Sequence, residues 1–310
     1  MTSWPRRRPR KAIFPVAGFG ARFLPATKAC PKELLPVVDR PLIEYAVEEA
    51  AAAGIRDMIF VTGRNKRAIE DHFDKAYELE HELMARANAE ALRVLGTIVP
   101  EGVRFSYVRQ PVTAGVGDAL LRARPLASDE PFAVLMPDDL IDSDRPALSE
   151  LLDVFDQEGA SVVAVEATAN RQARHAAAVT IDEVDGSIRR VVPPGAAQGG
   201  ALALVGRFVF TPAMWNALAS ARVEGSDTSI ADGIAALVHH ESVYSCQVTG
   251  RRYDCGTKVG FLEAQIAYAR KRPELWGELQ GSVQALVEPD VAPTAVGRSA
   301  RTRAGMATQR

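Results

Sequence analysis

The chain has 310 residues, of which 47% are hydrophobic and 25% charged, with a formal net charge of -2. This is the composition of an ordinary globular protein with volume for a full core in one large or two moderate domains, and the near-neutral balance excludes a global drive toward nucleic acid. Three cysteines, Cys30, Cys246 and Cys255, are too few and too scattered for a disulfide framework or a zinc site, and no apolar run reaches the roughly 18 residues of a membrane helix, so the cytoplasm is the expected setting.

Residues 1–10 hold the one basic cluster, Arg6, Arg7, Arg8 and Arg10, punctuated by Pro5 and Pro9, and are expected to be a solvated tail. The apolar stretch behind it is too short for a signal peptide. Lys11 to Val16 reads as a strand that runs into Gly18, Gly20 and a loop carrying Arg22, Lys28 and Lys32. Pro41 to Ala53 places Leu42, Ala46, Val47, Ala50 and Ala53 at helical spacing and stops at Gly54. Asp57 to Thr62 reads as a buried strand, and strand, helix, strand in succession predicts a parallel sheet. Lys66 to Leu95 is charged and helical, one or two helices with a solvated face; Val103 to Val108 is a short strand, and a helix begins at Ala119 after Gly115 and Gly117.

Phe132 to Met136 is an apolar strand that ends in Pro137, Asp138 and Asp139. Acids at the carboxyl end of such a strand stand where ligands of open α/β sheets gather. Leu148 to Phe155 reads as a helix, Ser161 to Glu166 as a strand, and Ala177–Ile181, Ile188–Val192 and Ala201–Phe210 as β segments between Gly and Pro turns. Helices follow at Pro212–Ser220 and Ser229–His240, a strand at Val243–Val248 and an amphipathic helix at Lys258–Arg270. Beyond Leu279 the chain is rich in Gly, Pro, Ala, Thr and Arg without periodicity. The expected organisation is a tail over 1–10, one domain over 11–278 and a flexible tail over 279–310.

The loop from Gly18 to Lys32 suits phosphate chemistry. A glycine-containing turn after a strand brings backbone N–H groups up to an anion, and fixed cations neutralise it. It is not a Walker A loop, because no Lys-Ser/Thr follows its last glycine, and it lacks the third glycine of the dinucleotide fingerprint. Pattern alone leaves a phosphate site and a plain tight turn both open. Pro25 and Pro31 stiffen the loop that carries Arg22 and Lys32.

Gly-Phe-Gly-Ala-Arg-Phe-Leu-Pro-Ala-Thr-Lys-Ala-Cys-Pro-Lys-Glu-Leu-Leu-Pro, starting at Gly18, resembles the opening motif of sugar-1-phosphate nucleotidyltransferases, and among them the bacterial UTP:glucose-1-phosphate uridylyltransferases. The likeness continues at residues 38–45, His72-Phe73-Asp74, Gln110, Gly115-Val116-Gly117, residues 135–139, Val205-Gly206-Arg207 and residues 253–258, so it spans roughly Lys11 to Ala269. The resemblance implies an α/β fold, a single Rossmann-like nucleotide-binding domain whose mixed, mainly parallel sheet is flanked by helices. It implies transfer of UMP from UTP to a sugar 1-phosphate, glucose 1-phosphate first, with magnesium as cofactor and release of pyrophosphate. Arg22 would grip the leaving pyrophosphate and Lys32 the α-phosphate. Ala17, Gly18 and Gly20 would lie against the nucleotide, Gln110 and Gly115 would read the uracil edge, and Asp138 and Asp254 would hold the metal. UTP, a sugar 1-phosphate and further copies of the chain are the expected partners, with neither nucleic acid nor membrane.

Departures from the pattern concentrate on the sugar side. Val191 and Val192 stand where the family carries Glu-Lys, Ala201 where it carries Asn, and Asp227 and Ser229 where a helix start carries Glu and Gln; Ala176 and Ala177 stand near its Tyr-Gly pair. In a shifted register Arg189 or Arg190 would supply the missing charge. On the nucleotide side Ala21 replaces Thr and Asp118 replaces His. Two alternatives therefore stay open, a catalytically weak nucleotide-binding paralogue with a regulatory role and a nucleotidyltransferase with another acceptor.

Overall fold

In β1 (Lys11–Pro15) the consecutive residues Ala12, Ile13 and Phe14 are all fully buried. Neighbouring strand residues face opposite ways, so both faces of this sheet must be covered, as parallel sheets require. The computed structural model describes residues 7–167, 176–196, 200–223 and 225–287. They fall into two compact units that divide between Ala267 and Tyr268.

In the first unit, β1 is followed by a short hairpin, β2 (Pro36–Val37) and β3 (Arg40–Pro41), then α1 (Leu42–Ala52) and β4 (Asp57–Thr62). Three helices come next, α2 (Arg67–Phe73), α3 (Tyr77–Ala85) and α4 (Ala89–Thr97), where sequence periodicity gave one or two. The breaks are local: Asp74 turns to extended backbone, and Ala87 takes a positive φ of 52° before Asn88 caps α4 by accepting from the Ala91 N–H. The chain continues through β5 (Arg104–Arg109), α5 (Gly115–Ala127), β6 (Phe132–Leu135), β7 (Asp139–Asp142), α6 (Ala147–Glu158) and β8 (Ser161–Ala167). Then come β9 (Ala178–Ile181), β10 (Ile188–Val192), β11 (Leu202–Phe210), α7 (Ala213–Ala221), α8 (Ile230–Leu237), β12 (Val243–Gln247), β13 (Arg251–Asp254) and α9 (Lys258–Arg270), whose last three residues belong to the second unit.

The main sheet has the order β10-β9-β11-β6-β1-β4-β5, with β8 joined to β11 and β12 to β8. The run β6-β1-β4-β5 is parallel throughout, and β11 lies antiparallel to β6. After β1 the chain moves outward to β4 and β5 and then returns to the other side of β1 to lay down β6. The carboxyl ends of β1 and β6 therefore meet where the strand order reverses, the place at which open α/β sheets bind ligands.

Ala12 and Phe14 face a core formed by α1 and α6 with Phe60 and Leu135, whereas Ile13 faces a second core of α5, α7 and α8. Trp215 stacks on Phe132 with ring centroids 4.0 Å apart, and its indole N–H donates to the Ser128 carbonyl. It is a core residue, as its apolar helix suggests.

In the second unit α10 (Pro273–Val287) occupies the region where a tail was expected from residue 279. Leu275, Leu279, Val283 and Leu286 recur at three- and four-residue steps, and Gly277 and Gly281 mask this helical pattern. The rest of that expected tail, and residues 1–6 of the basic one, lie outside the described residues.

Candidate functional site

The loop after β1 folds as three single 3₁₀ turns, Ala21–Phe23, Ala26–Lys28 and Lys32–Leu34. Gly20 opens them with a φ of 67° and ψ of 30°, left-handed backbone that an L side chain resists. A Cβ there would also lie 3.1 Å from Lys32 Cβ, and the Gly20 carbonyl accepts from the Thr27 hydroxyl at 2.8 Å. Gly20 thus serves the turn, whereas a Cβ on Gly18 would meet no protein atom within 4 Å, leaving its backbone open to a ligand. Ala17 is buried beside them.

The turn sets Lys32 beside the end of β6. Its ammonium donates to Asp138 Oδ2 at 2.5 Å. Burial disfavours the Lys32 charge, but Asp138, with Glu33 and Asp139 further out, outweighs it and raises the pKa. Burial likewise works against the Asp138 carboxylate, and Lys32 overcomes it and holds the group below the usual carboxylate range.

Asp254 arrives from the far end of the chain. The two-stranded ribbon of β7 and β13 pairs Asp254 with Asp139, and the Cys255 N–H donates to the Asp138 carbonyl at 2.8 Å. A Cβ on Gly256 would lie 3.0 Å from both Asp138 Oδ2 and Asp254 Oδ1, so the two carboxylates converge where only a glycine fits. Burial and then the charge of Asp139 raise the Asp254 pKa, with Asp138 adding to the effect against Arg252. Asp139 itself is committed: it accepts from the Gly206 N–H at 2.7 Å and from Arg252 Nε at 2.7 Å, and Arg252 also donates to Glu166 at 2.6 Å.

Asp138, Asp139, Arg252 and Asp254 line a cavity of about 460 Å³ with Arg22, Met136 and Thr257 at its walls. No hydrogen bond or ion pair engages Arg22 among the described residues, which leaves it able to meet an anion. The donor set fits magnesium, which takes one or two carboxylates and completes its octahedron with phosphate oxygens and water. No cluster of three or more His, Cys, Asp or Glu able to cage a metal occurs among the described residues.

Behind the loop lies a second cavity of about 400 Å³, lined by Ala17, Phe19, Cys30, Lys66, Gln110 and Val112 among others. Gln110, buried just past β5, donates its amide hydrogens to the Gly115 carbonyl at 3.1 Å and to Asp118 at 2.8 Å. Gly115 begins α5, whose first turn is tied to Thr228 by Gly117 N–H donating at 2.7 Å and by Thr228 N–H donating to Ala114 at 3.1 Å. Sequence reasoning missed one buried pair here, Lys66 donating to Glu33 at 2.7 Å. Burial, offset in part by Lys66, raises the Glu33 pKa, and Glu33 Oε1 is the one fully buried side-chain polar atom without a hydrogen bond among the described residues.

The sugar-side positions assemble differently. Val192, Ala178 and Ala201 form a small buried apolar cluster, Val191 packs on the second core, and Asp227 is exposed while Ser229 caps α8 in a capping box with Asp232. Neither cavity is lined by them among the described residues. Of the two arginines of the shifted register, Arg189 is exposed and binds Asp182 at 2.5 Å, Arg190 is exposed on β10, and neither lines either cavity among the described residues. Ala176 does line the Asp138 cavity.

Sequence reasoning also left Arg252 and Arg207 without roles. Arg207 is 1% exposed, grips Glu49 through three hydrogen bonds of 2.8–3.0 Å and donates to the Met136 carbonyl at 3.0 Å, so it holds the turn that carries Asp138. An arginine inside an apolar strand was the available signal.

The sequence model of the nucleotidyl transferase family matches residues 11–271. The chain is 40% identical over 290 residues to the UTP--glucose-1-phosphate uridylyltransferase of Staphylococcus epidermidis, an alignment covering 89% of this chain and 98% of that one. It resembles the solved UTP-bound UGPase of Acinetobacter baumannii with a TM-score of 0.82 and 34% identity over 90% of this chain and 99% of that one. A UDP-glucose pyrophosphorylase complexed with UDP-glucose matches with a TM-score of 0.76 and 37% identity, over 85% of this chain and all of the other.

Proposed function

The chain belongs to the nucleotidyl transferase family, and from that premise we propose that it transfers UMP from UTP to glucose 1-phosphate, giving UDP-glucose and pyrophosphate. The observation that carries this is the meeting of Lys32, Asp138 and Asp254 at the strand-order reversal, with a free Arg22 on the cavity that the two carboxylates line. Two anions must be brought together in line, so positioning and charge neutralisation supply most of the catalysis.

A phosphate oxygen of glucose 1-phosphate attacks the α-phosphorus of UTP, forming a new P–O bond as the bond to pyrophosphate breaks. Lys32 neutralises the α-phosphate and Arg22 the departing pyrophosphate. Asp138 and Asp254 would hold magnesium, which when bound would supply positive charge to the phosphates. Burial and the like charge of Asp139 push Asp254 toward its protonated form, and a bound cation would offset that like charge. Gly18 and Ala17 lie against the nucleotide, and Gln110 meets the uracil edge. We also place the protein in the cytoplasm, and as a self-associating one, the exposed apolar side chains of Val259 and Leu262 on α9 supporting the latter. Among the described residues no helix is long and apolar enough to cross a membrane.

Pyrophosphate release, followed with UTP and glucose 1-phosphate, tests the reaction. UTP binding without pyrophosphate release on glucose 1-phosphate would overturn it. The apolar cluster of Val192, Ala178 and Ala201 favours a second reading, an acceptor that is bound without the lysine the family supplies. A panel of sugar 1-phosphates, run on the wild type and on Val192→Lys, separates the two; a large gain with glucose 1-phosphate in that variant favours the second.

A further inference from the structure

Where the family resemblance calls for histidine, the first turn of α5 carries Asp118, 3% exposed and hydrogen-bonded to Gln110, itself 4% exposed. The two hydrogens of the Gln110 amide go to Asp118 Oδ2 at 2.8 Å and to the Gly115 carbonyl at 3.1 Å, and an amide nitrogen has no third. Turned the other way, the amide oxygen would face a carboxylate and a carbonyl, two acceptors with no hydrogen to offer. Chemistry therefore fixes the sense of this amide, which atom positions alone would not.

The Gln110 oxygen takes no hydrogen bond from the described residues, and Gln110 lines the cavity of about 400 Å³ beside Ala17, Phe19 and Lys66. Asp118 cannot readily turn away. Arg122 Nε stands 3.5 Å from one of its oxygens and Arg222 stands 3.7 Å from the other. The turn that bears it is pinned to Thr228 by the Gly117 N–H at 2.7 Å.

We propose that Asp118 is a positioning residue that locks Gln110 with its oxygen toward the nucleotide, so that the site selects a base presenting a hydrogen-bond donor at that point. The ring N–H of a uracil or thymine imide supplies one. Cytosine carries a lone pair at the same ring nitrogen and meets the oxygen with repulsion. A neutral histidine could accept or donate through a ring nitrogen and would leave the Gly115 carbonyl alone to set the sense of the amide; a carboxylate adds a second acceptor that can only accept. This inference rests on the assignment of the cavity to the nucleotide.

The test compares UTP, CTP and 3-methyl-UTP, which lacks the imide hydrogen, by calorimetric binding and by pyrophosphate release. Wild-type protein is expected to bind 3-methyl-UTP at least about tenfold more weakly than UTP; binding within threefold overturns the proposal, and this comparison needs no variant. In Asp118→Asn the new amide can donate to a turned Gln110 oxygen, so only the Gly115 carbonyl still opposes the turned sense. The kcat/KM ratio of UTP to CTP is then expected to fall about tenfold or more, mainly through KM. In a Gln110→Ala background the same Asp118→Asn change should leave that ratio within twofold, because the lock has nothing left to hold. An active wild type whose Asp118→Asn variant keeps its UTP to CTP ratio overturns the inference alone. A wild type that binds UTP and discriminates against 3-methyl-UTP but releases no pyrophosphate overturns the proposed reaction and leaves this inference standing.

Discussion

Replacing Lys32 with alanine separates its two roles. The ammonium lies 2.5 Å from Asp138, with the two side chains 22% and 21% exposed. Exposed pairs contribute about 0–1 kcal/mol and breaking a fully buried pair costs about 3–5, so the stability loss for this partly shielded pair should be near 2 kcal/mol. Loss of one charged contact to the α-phosphate costs about 1.5–3 kcal/mol, which is about a 10- to 150-fold drop in kcat/KM for UTP. The two effects respond to magnesium in different ways. With the ammonium gone, Asp138 and Asp254 face each other across Gly256 with less positive charge, so magnesium without nucleotide should raise the Tm of the variant more than that of the wild type. Pyrophosphate release and thermal unfolding with and without magnesium measure both. A variant with kcat/KM within threefold of wild type would show that Lys32 neutralises Asp138 and no phosphate.

Arg207→Met should destabilise the protein by about 3–5 kcal/mol in urea unfolding, because it leaves the largely shielded Glu49 carboxylate, 11% exposed, without its cation and with only the Leu148 N–H to meet it among the described residues; a loss below about 1 kcal/mol would deny the arginine its place as the support of the Asp138 turn. Cys246 and Cys255 are buried, and burial pushes the first up to about 11 and the second further, whereas Cys30 is half-buried and lines the second cavity. An aromatic disulfide reagent at neutral pH should therefore modify Cys30 first, with UTP protecting it; equal rates at all three thiols would contradict the burial. Burial raises the Tyr107 pKa from 10.0 to about 12, with Asp74 and Glu70 adding to it. The folded state then binds more protons than the unfolded one between those values, so this contribution is complete below pH 10 and is lost as pH rises toward 12. Tyr107→Phe should flatten that slope in denaturation at pH 9 and 11, and an unchanged slope would assign the alkaline loss elsewhere.

What the sequence alone determined is local. An apolar strand, two glycines and a cation-bearing loop lie next to one another in the chain, so turn chemistry and period suffice to read them, and the acids after Phe132 to Leu135 are legible because that strand must end at its polar residues. The number of helices between Lys66 and Leu95 was not legible, since it turned on one positive φ and one cap. Tertiary structure alone decided which residues meet. Asp254 reaches Asp138 only through the ribbon of β7 and β13, and Lys66 reaches Glu33 only across the ends of neighbouring strands. The sugar-side departures read as isolated losses in the sequence, yet Val192 and Ala201 share one apolar cluster because β9 lies between β10, which carries Val192, and β11, which begins just after Ala201. The same holds for Asp118, whose single substitution acquires meaning from the Gln110 amide beside it. Backbone preference acts over a few residues and is written in their order; pairing of charges and amides depends on which strands the core brings together, and burial sets that at a distance no local pattern records.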